Sequence, residues 1–325
     1  MNENQIKKEE IEYKPSRITK RALALLVDVF LTIFTALILF ACFNGLASNT
    51  PFALEEKSKR DNLQIESSLY TSDFVLISDY VDSTSFSTRE KNEYLSKHIE
   101  DFYSNPAFIV GIDPYKQYEE RKLKALDGTT SLFIENEGKI KENELADPSS
   151  ILSFYKNEIE NECLKYLYSN EIYINSNKFF FILSFVVGAA SLTLSFLVYY
   201  LILPLTAFKK GKRTIGMAIF KIGLVGKNGL SLKALPYLGR VVFDYFVFIW
   251  LSFVSFLIPW GISFTMLLFS KRCQSLDDYV LNQYKVDISR DDIYLDYGDY
   301  KSHKENRDKA SIENKDFEIE TKKNR

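Results

Sequence analysis

Histidine, cysteine and tryptophan are scarce in this chain: its 325 residues include two His, three Cys and two Trp, with 13 Gly and 8 Pro. The two histidines, His98 and His303, stand beside neither a cysteine nor a carboxylate cluster at ligand spacing, so no zinc site and no other metal centre is expected. Cys42, Cys163 and Cys273 fall in three different parts of the chain, which gives no disulfide framework. A phosphate-cradling glycine loop, a zinc-protease helix and a nucleophile elbow are all missing. No catalytic residue, no cofactor and no enzymatic activity are therefore expected.

Long uncharged runs, by contrast, are present, and the mean hydropathy of −0.12 hides a division into greasy and charged blocks. The first, within 20–45, runs apolar from Ala22 to Phe43, roughly 33 Å as a helix at about 1.5 Å per residue, against a hydrocarbon core near 30 Å. It contains one carboxylate, Asp28, whose ionised form costs about 2.5 to 3.5 kcal/mol at such depth. Arg21, two helical turns earlier, is the expected partner on the same helix face. Residues 1–19 read as a solvated leader, and Lys14, Arg17, Lys20 and Arg21 at the start of the span favour a cytoplasmic N-terminus. Leu39 to Cys42 loosely resembles a lipoprotein cleavage box, but the leader and apolar core are both longer than a signal peptide needs.

Residues 46–178 hold 15 basic and 24 acidic side chains and suit the extracytoplasmic side. Within them 69–81 has the β-branched and aromatic content of strand. Residues 87–105 read as a helix opened by Ser87, Thr88 and Glu90, with further helices expected from Pro114 and after Asp147. Residues 133–145 read as a hairpin or loop around Gly138. The scattered acids lack calcium-loop spacing and read as a solvated face. A second span follows at 179–208, without a charge, and Ser184, Gly188, Ser191 and Ser195 give it a small-residue stripe for close helix approach.

Residues 209–240 contain eight basic side chains and no acidic one, which places this amphipathic loop in the cytoplasm. Lys209, Lys210, Lys212 and Arg213 are candidate contacts for anionic lipid headgroups; nothing resembles a base-reading module, so nucleic acid is not an expected partner. The last apolar block, 241–270, is long for one span and short for two, and Pro259, Trp260 and Gly261 suggest a break near 259 followed by a shorter returning arm. Arg240 and Asp244 lie four apart on one helix face, and Asp277 and Asp278 open the cytoplasmic tail, 271–325, expected to be mostly disordered after 290.

Taken in order, Arg21, Asp28, the GKRTIGMAIFKIGLV stretch with Gly211, Thr214 and Gly216, then Arg240, and finally Ser275 to Asp278 ahead of the β-like YVLNQYKV resemble the RDD family of integral membrane proteins. The resemblance covers roughly 14–48 and 179–290 and leaves out 46–178, a large insertion between the first two spans. Where that family usually closes on Leu-His-Asp, this chain has Leu276, Asp277 and Asp278, so the histidine position carries an acid. The resemblance implies a compact polytopic module for which transport, including cation and proton exchange, has been suggested.

The expected fold is an all-α polytopic membrane bundle, three spans plus a returning arm, with an inserted, mainly helical α+β extracytoplasmic domain. Two functions compete. Arg21, Asp28, Arg240, Asp244, Asp277 and Asp278 form either structural glue in a cell-membrane anchor for an extracytoplasmic binding or assembly domain, or an ion-binding cluster in a cation or proton transporter. A protein partner or a second copy of the chain stays open.

Overall fold

The computed structural model describes residues 11, 13–109, 113–136, 138–270, 273–289 and 292–306. The chain is mainly helical, with three helical stretches long and apolar enough to cross a membrane, at Ile18–Ser48, Glu171–Thr206 and Ala234–Val254. Its strands form only two-stranded antiparallel pairs. It divides into two compact units, one made of Met1–Cys42 with Gly188–Arg325, the other of Phe43–Val187.

Helix α1 (Ile18–Ser48) is apolar nearly throughout, and its buried side is a stripe of small or polar residues: Arg21, Ala24, Asp28, Thr32 and Ala36. Leu26, Phe30, Phe34 and Leu37 point outward and are exposed. Bulk faces out and small or polar groups face in, the arrangement that hydrocarbon surroundings favour.

The Phe43–Val187 unit begins beyond that stripe. Pro51 opens α2 (Pro51–Glu66), where its missing N–H costs nothing. The strand expected over 69–81 is instead α3 (Ile77–Ser83), preceded by a single bridge between Tyr70 and Leu76. Here the apolar residues Leu69, Ile77 and Val81 enter a core, and tertiary burial overrides β propensity. Helix α4 (Thr88–Ser104) starts at a reciprocal capping box between Ser87 and Glu90 and stops before Pro106. Helix α5 (Asp113–Lys124) leads into the short hairpin β1 (Leu126–Asp127) and β2 (Thr130–Ser131), then the hairpin β3 (Phe133–Asn136) and β4 (Lys139–Glu142) around Gly138. Asp147 caps α6 (Pro148–Glu158), which continues through a π-helical turn, Ile159–Cys163, into α7 (Leu164–Ser169). Leu95, Ile99, Phe102, Tyr118, Tyr155, Ile159 and Leu167 form the centre of a conventional apolar core.

Asn170, with extended backbone, separates α7 from α8 (Glu171–Leu197). In the first unit α8 packs on α1: a Cβ added at Gly188 would stand 3.8 Å from the Phe40 ring, and the Ser195 hydroxyl donates to the Thr32 carbonyl at 2.7 Å. The small-residue stripe is thus used inside the chain. A π-helical turn, Val198–Ile202, leads into α9 (Leu203–Thr206).

The basic stretch after it has regular structure of its own. It folds into α10 (Ile215–Ile219), capped by the Thr214 hydroxyl, and β5 (Ile222–Gly226), which pairs antiparallel with β6 (Gln283–Asp287). Ile222, Leu224 and Val225 are buried, which removes their apolar surface from water. The leader is not free: Pro15 bridges Val286, the Ser16 N–H donates to the Lys285 carbonyl, and the Asp287 N–H donates to the Lys14 carbonyl. Residues 1–10 and 12 lie outside the described residues.

Helix α11 (Ala234–Phe243) runs into a π-helical stretch, Asp244–Leu251, and ends in α12 (Ser252–Val254). The break falls at Ser255–Leu257, with left-handed φ of 49° at Phe256 and 66° at Leu257, slightly before the expected position. Pro259 starts the next helix and does not break it, in α13 (Ile258–Phe269). The arm returns: Trp260 Nε1 donates to the Phe248 carbonyl at 2.9 Å, and the Ser263 hydroxyl accepts the Leu276 N–H at 3.2 Å as α14 (Leu276–Val280) begins. The tail expected to be disordered after 290 is ordered over 292–306. Ile293 and Tyr294 are buried, with Ile293 seated where side chains at Gly211 and Gly223 would otherwise stand, and 297–306 are helical. Residues 307–325, as well as Lys271 and Arg272, lie outside the described residues.

Candidate functional site

Of the two expected pairs, Arg240 with Asp244 is present at 3.6 Å and Arg21 with Asp28 is not. Helical side chains lean toward the helix N-terminus, so a long guanidinium at 21 extends away from a carboxylate at 28. Arg21 instead reaches Asp278 Oδ2 at 3.0 Å, with its remaining donors on Ser16 Oγ at 2.6 Å, the Lys285 carbonyl at 2.7 Å and the Cys273 carbonyl.

Asp278 is completely buried and stands between two arginines, its other oxygen, Oδ1, accepting from Arg240 at 2.9 Å. Arg240 also contacts Asp277, donates to Gln283 Oε1 at 3.1 Å, and lies 3.6 Å from Asp244 Oδ2 along its own helix. Lys285 Nζ approaches Asp277 at 3.2 Å and Asp278 at 3.8 Å. Three cations (Arg21, Arg240, Lys285) thus face three carboxylates (Asp244, Asp277, Asp278), drawn from α1, α11, the π-helical stretch, α14 and β6. The short helix α14 is what presents both adjacent acids, and the Ser275 N–H donates to Asp278 Oδ2 at 3.4 Å to fix the second.

Lys285 is the member that sequence reasoning missed. In strand register its side chain lies on the face opposite to the buried Val286, and in QYKVD nothing distinguishes it from a solvated lysine. Burial pushes its ammonium down to about 8, against the raising pull of Asp278. For Asp278 burial alone would raise the carboxyl, but Lys285, Arg240 and Arg21 together outweigh it and hold the group below the usual carboxylate range.

Asp28 is satisfied without any cation. Its Oδ2 accepts the Thr214 hydroxyl at 2.5 Å and its Oδ1 accepts the Gly216 N–H at 2.7 Å, both buried. The second bond needs an intimate approach of α10 to α1: a Cβ on Gly216 would stand 2.1 Å from the Ala24 carbonyl oxygen. Asp28 therefore receives the first turn of α10, whose backbone donors have no partner within the helix. Thr214 and Gly216 belong to the basic stretch that carries the family resemblance, but their tie to Asp28 cannot be read from spacing.

Among the described residues of this unit, Arg213 Nε, Ser275 Oγ and Asp244 Oδ1 are buried side-chain atoms without a hydrogen-bond partner. The Asp244 carboxylate nonetheless makes the ion pair to Arg240. Among the headgroup candidates, Lys209 and Lys210 are exposed and Lys212 and Arg213 half-buried. Lys210 pairs with Asp299 at 3.4 Å, and Arg213 lies over the Phe208 ring at 5.7 Å.

The Phe43–Val187 unit has a buried carboxylate of its own, Glu158. Glu158 accepts from Arg121 Nε at 2.9 Å and Nη2 at 2.6 Å and from the Tyr103 hydroxyl at 2.7 Å. In the same unit Lys122 is buried, its ammonium over the Tyr118 ring at 4.5 Å and bonded to Glu100 at 3.3 Å. No family model, curated protein or solved structure matches the chain.

Proposed function

We propose that this chain is an RDD-like integral protein of the cell membrane, with its N-terminus in the cytoplasm. Its charged cluster is a structural joint, and its role is to anchor or couple the Phe43–Val187 unit as an extracytoplasmic binding or assembly domain. One observation above all supports the joint: each oxygen of Asp278 is taken by a different arginine, one from α1 and one from α11, within a set of three cations and three carboxylates. Such a set ties separate helices together and leaves no charge free to bind cargo. Asp28, the acid best placed to carry a proton, already holds two donors. The basic stretch would face the cytoplasmic leaflet, with Lys209 and Lys210 available to anionic headgroups.

A transporter is the second reading, and the unpartnered Oδ1 of Asp244 is what favours it, since a buried bare carboxylate oxygen is where a cation or proton would bind. Two variants in reconstituted vesicles separate the readings. The joint predicts that Asp28→Asn lowers the amount of folded protein, because an amide cannot accept both donors, and that Asp244→Asn leaves cation and proton flux at the level of empty vesicles. A flux present in the natural sequence and lost in Asp244→Asn at normal protein level establishes the transporter instead.

A further inference from the structure

The hairpin made by α11, the π-helical stretch, α12 and α13 begins and ends at the charged joint: Arg240 lies near its start, and Asp277 and Asp278 follow its end. From Arg240 at the joint to Val254 the ascending arm is 15 residues, at most about 23 Å of helix, and the 12 residues of α13 return about 18 Å. In the same unit α1 runs from Arg21 at the joint to Cys42, 22 residues and about 33 Å. A hydrocarbon core of about 30 Å that α1 crosses is therefore too thick for the hairpin to cross.

The chemistry of the turn points the same way. A turn in water takes Gly, Asn or Asp at left-handed positions, because a bulky side chain there costs about 1 to 2 kcal/mol per residue. This turn places Phe256 and Leu257 at both such positions, between Phe253, Val254 and Ile258. All five are exposed, Phe256 at 93%. No charged residue, Asn, Gln, Tyr or Trp stands between Ser252 and Ile258 to mark an interface. The backbone is also closed on itself. The Ser255, Leu257, Ile258 and Gly261 N–H groups donate to Leu251, Ser252, Ser255 and Leu257 carbonyls, and the Ser255 hydroxyl is tied back to the Leu251 carbonyl at 2.6 Å. An irregular turn that leaves so little unsatisfied tolerates hydrocarbon; a turn made for water has no need of it.

We infer that residues 241–269 form a re-entrant hairpin whose Phe253–Ile258 tip ends inside the bilayer, covered by acyl chains, so that the chain crosses the membrane twice, through α1 and α8. The inference rests on the membrane reading above. The hairpin enters and leaves through one face and keeps 273–306 on the same side as the N-terminus.

The test places a nitroxide at Phe256→Cys in the full chain, with Cys42, Cys163 and Cys273 replaced by Ala, reconstituted in lipid bilayers. Collision with oxygen, which concentrates in hydrocarbon, is expected to exceed collision with a water-soluble nickel chelate by several-fold. Dominant collision with the chelate overturns the inference. If the cysteine-free chain does not fold, the two native tryptophans report instead: Trp250 and Trp260 flank the tip, and lipids brominated deep in the chain are expected to quench them more than lipids brominated near the headgroup, the reverse order overturning the proposal. Release of the full chain from membranes by alkaline carbonate defeats the membrane reading itself and is distinguishable from either outcome.

Discussion

Both units bury carboxylates, and Glu158 in one and Asp278 in the other have different surroundings. Glu158 sits beneath a large apolar core of leucines, isoleucines and aromatic rings, and its partner Arg121 keeps 30% of its side chain in solvent. In the unit of Asp278 the apolar cluster is smaller, built on Phe196, Met217, Ile222, Leu224, Tyr237 and Val241; α1 turns Leu26, Phe30, Phe34 and Leu37 outward and a small or polar stripe inward, and both arginines on Asp278 are buried to within 6%. Where water surrounds the unit, apolar burial holds the elements together and one ion pair is an addition to the core. Where hydrocarbon surrounds it, apolar burial contributes little between helices, and a charge network becomes the main contact that distinguishes the correct arrangement from others.

That contrast is sharpest at the two carboxylates. Asp278→Ala leaves Arg21 and Arg240 with uncompensated buried charge and is expected to cost about 3 to 5 kcal/mol, enough to abolish folded protein in size-exclusion profiles. Glu158→Gln, which keeps an acceptor for Tyr103 and leaves Arg121 access to water, is expected to cost about 1 to 2 kcal/mol, read as a lowered unfolding midpoint. Equal losses at the two sites break the comparison. Gly216→Ala follows, at about 1 to 3 kcal/mol, because the added carbon meets the α1 backbone at Ala24 and pushes away the N–H that Asp28 accepts. At the water-facing helix α4, Ser87→Ala removes one half of the capping box and is expected to cost about 1 kcal/mol by thermal unfolding.

Acid sharpens the same comparison. Asp278 titrates lower in the folded chain than in the unfolded one, so the unfolded state binds more protons as pH falls below its ordinary value of 3.8 toward about 2. Stability from this group is present above pH 4 and is lost across that window. Asp278→Asn is expected to flatten the corresponding part of the unfolding midpoint against pH; an unchanged slope contradicts the assignment.

The local elements were legible where a side chain acts on its own neighbours. Ser87 with Glu90, Asp147 ahead of Pro148, and the Arg240–Asp244 spacing all read correctly because the partner lies within one helical turn. Residues 69–81 did not, because β-branched content was decided by burial of Ile77 and Val81. The site was legible in membership and, of its pairs, only in Arg240 with Asp244. Arg21, Asp28, Arg240, Asp244, Asp277 and Asp278 were all singled out, yet helical periodicity assigned Arg21 to Asp28, whereas long-range pairing of β6 with β5 and with the leader at Pro15 and Ser16 brings Lys285 to Arg21. Ile293 buried against Gly211 and Gly223 was hidden for the same reason, inside a stretch whose charged composition reads as solvated.

The central claim is that Arg21 and Asp278 fasten α1 to the α11–α14 hairpin through one buried interaction. A double-mutant cycle measures it directly, with Arg21→Gln, Asp278→Asn and the pair compared by unfolding in lipid nanodiscs. A coupling of about 2 kcal/mol is expected, the double variant losing much less than the sum of the single ones. Additivity within about 0.5 kcal/mol contradicts the account.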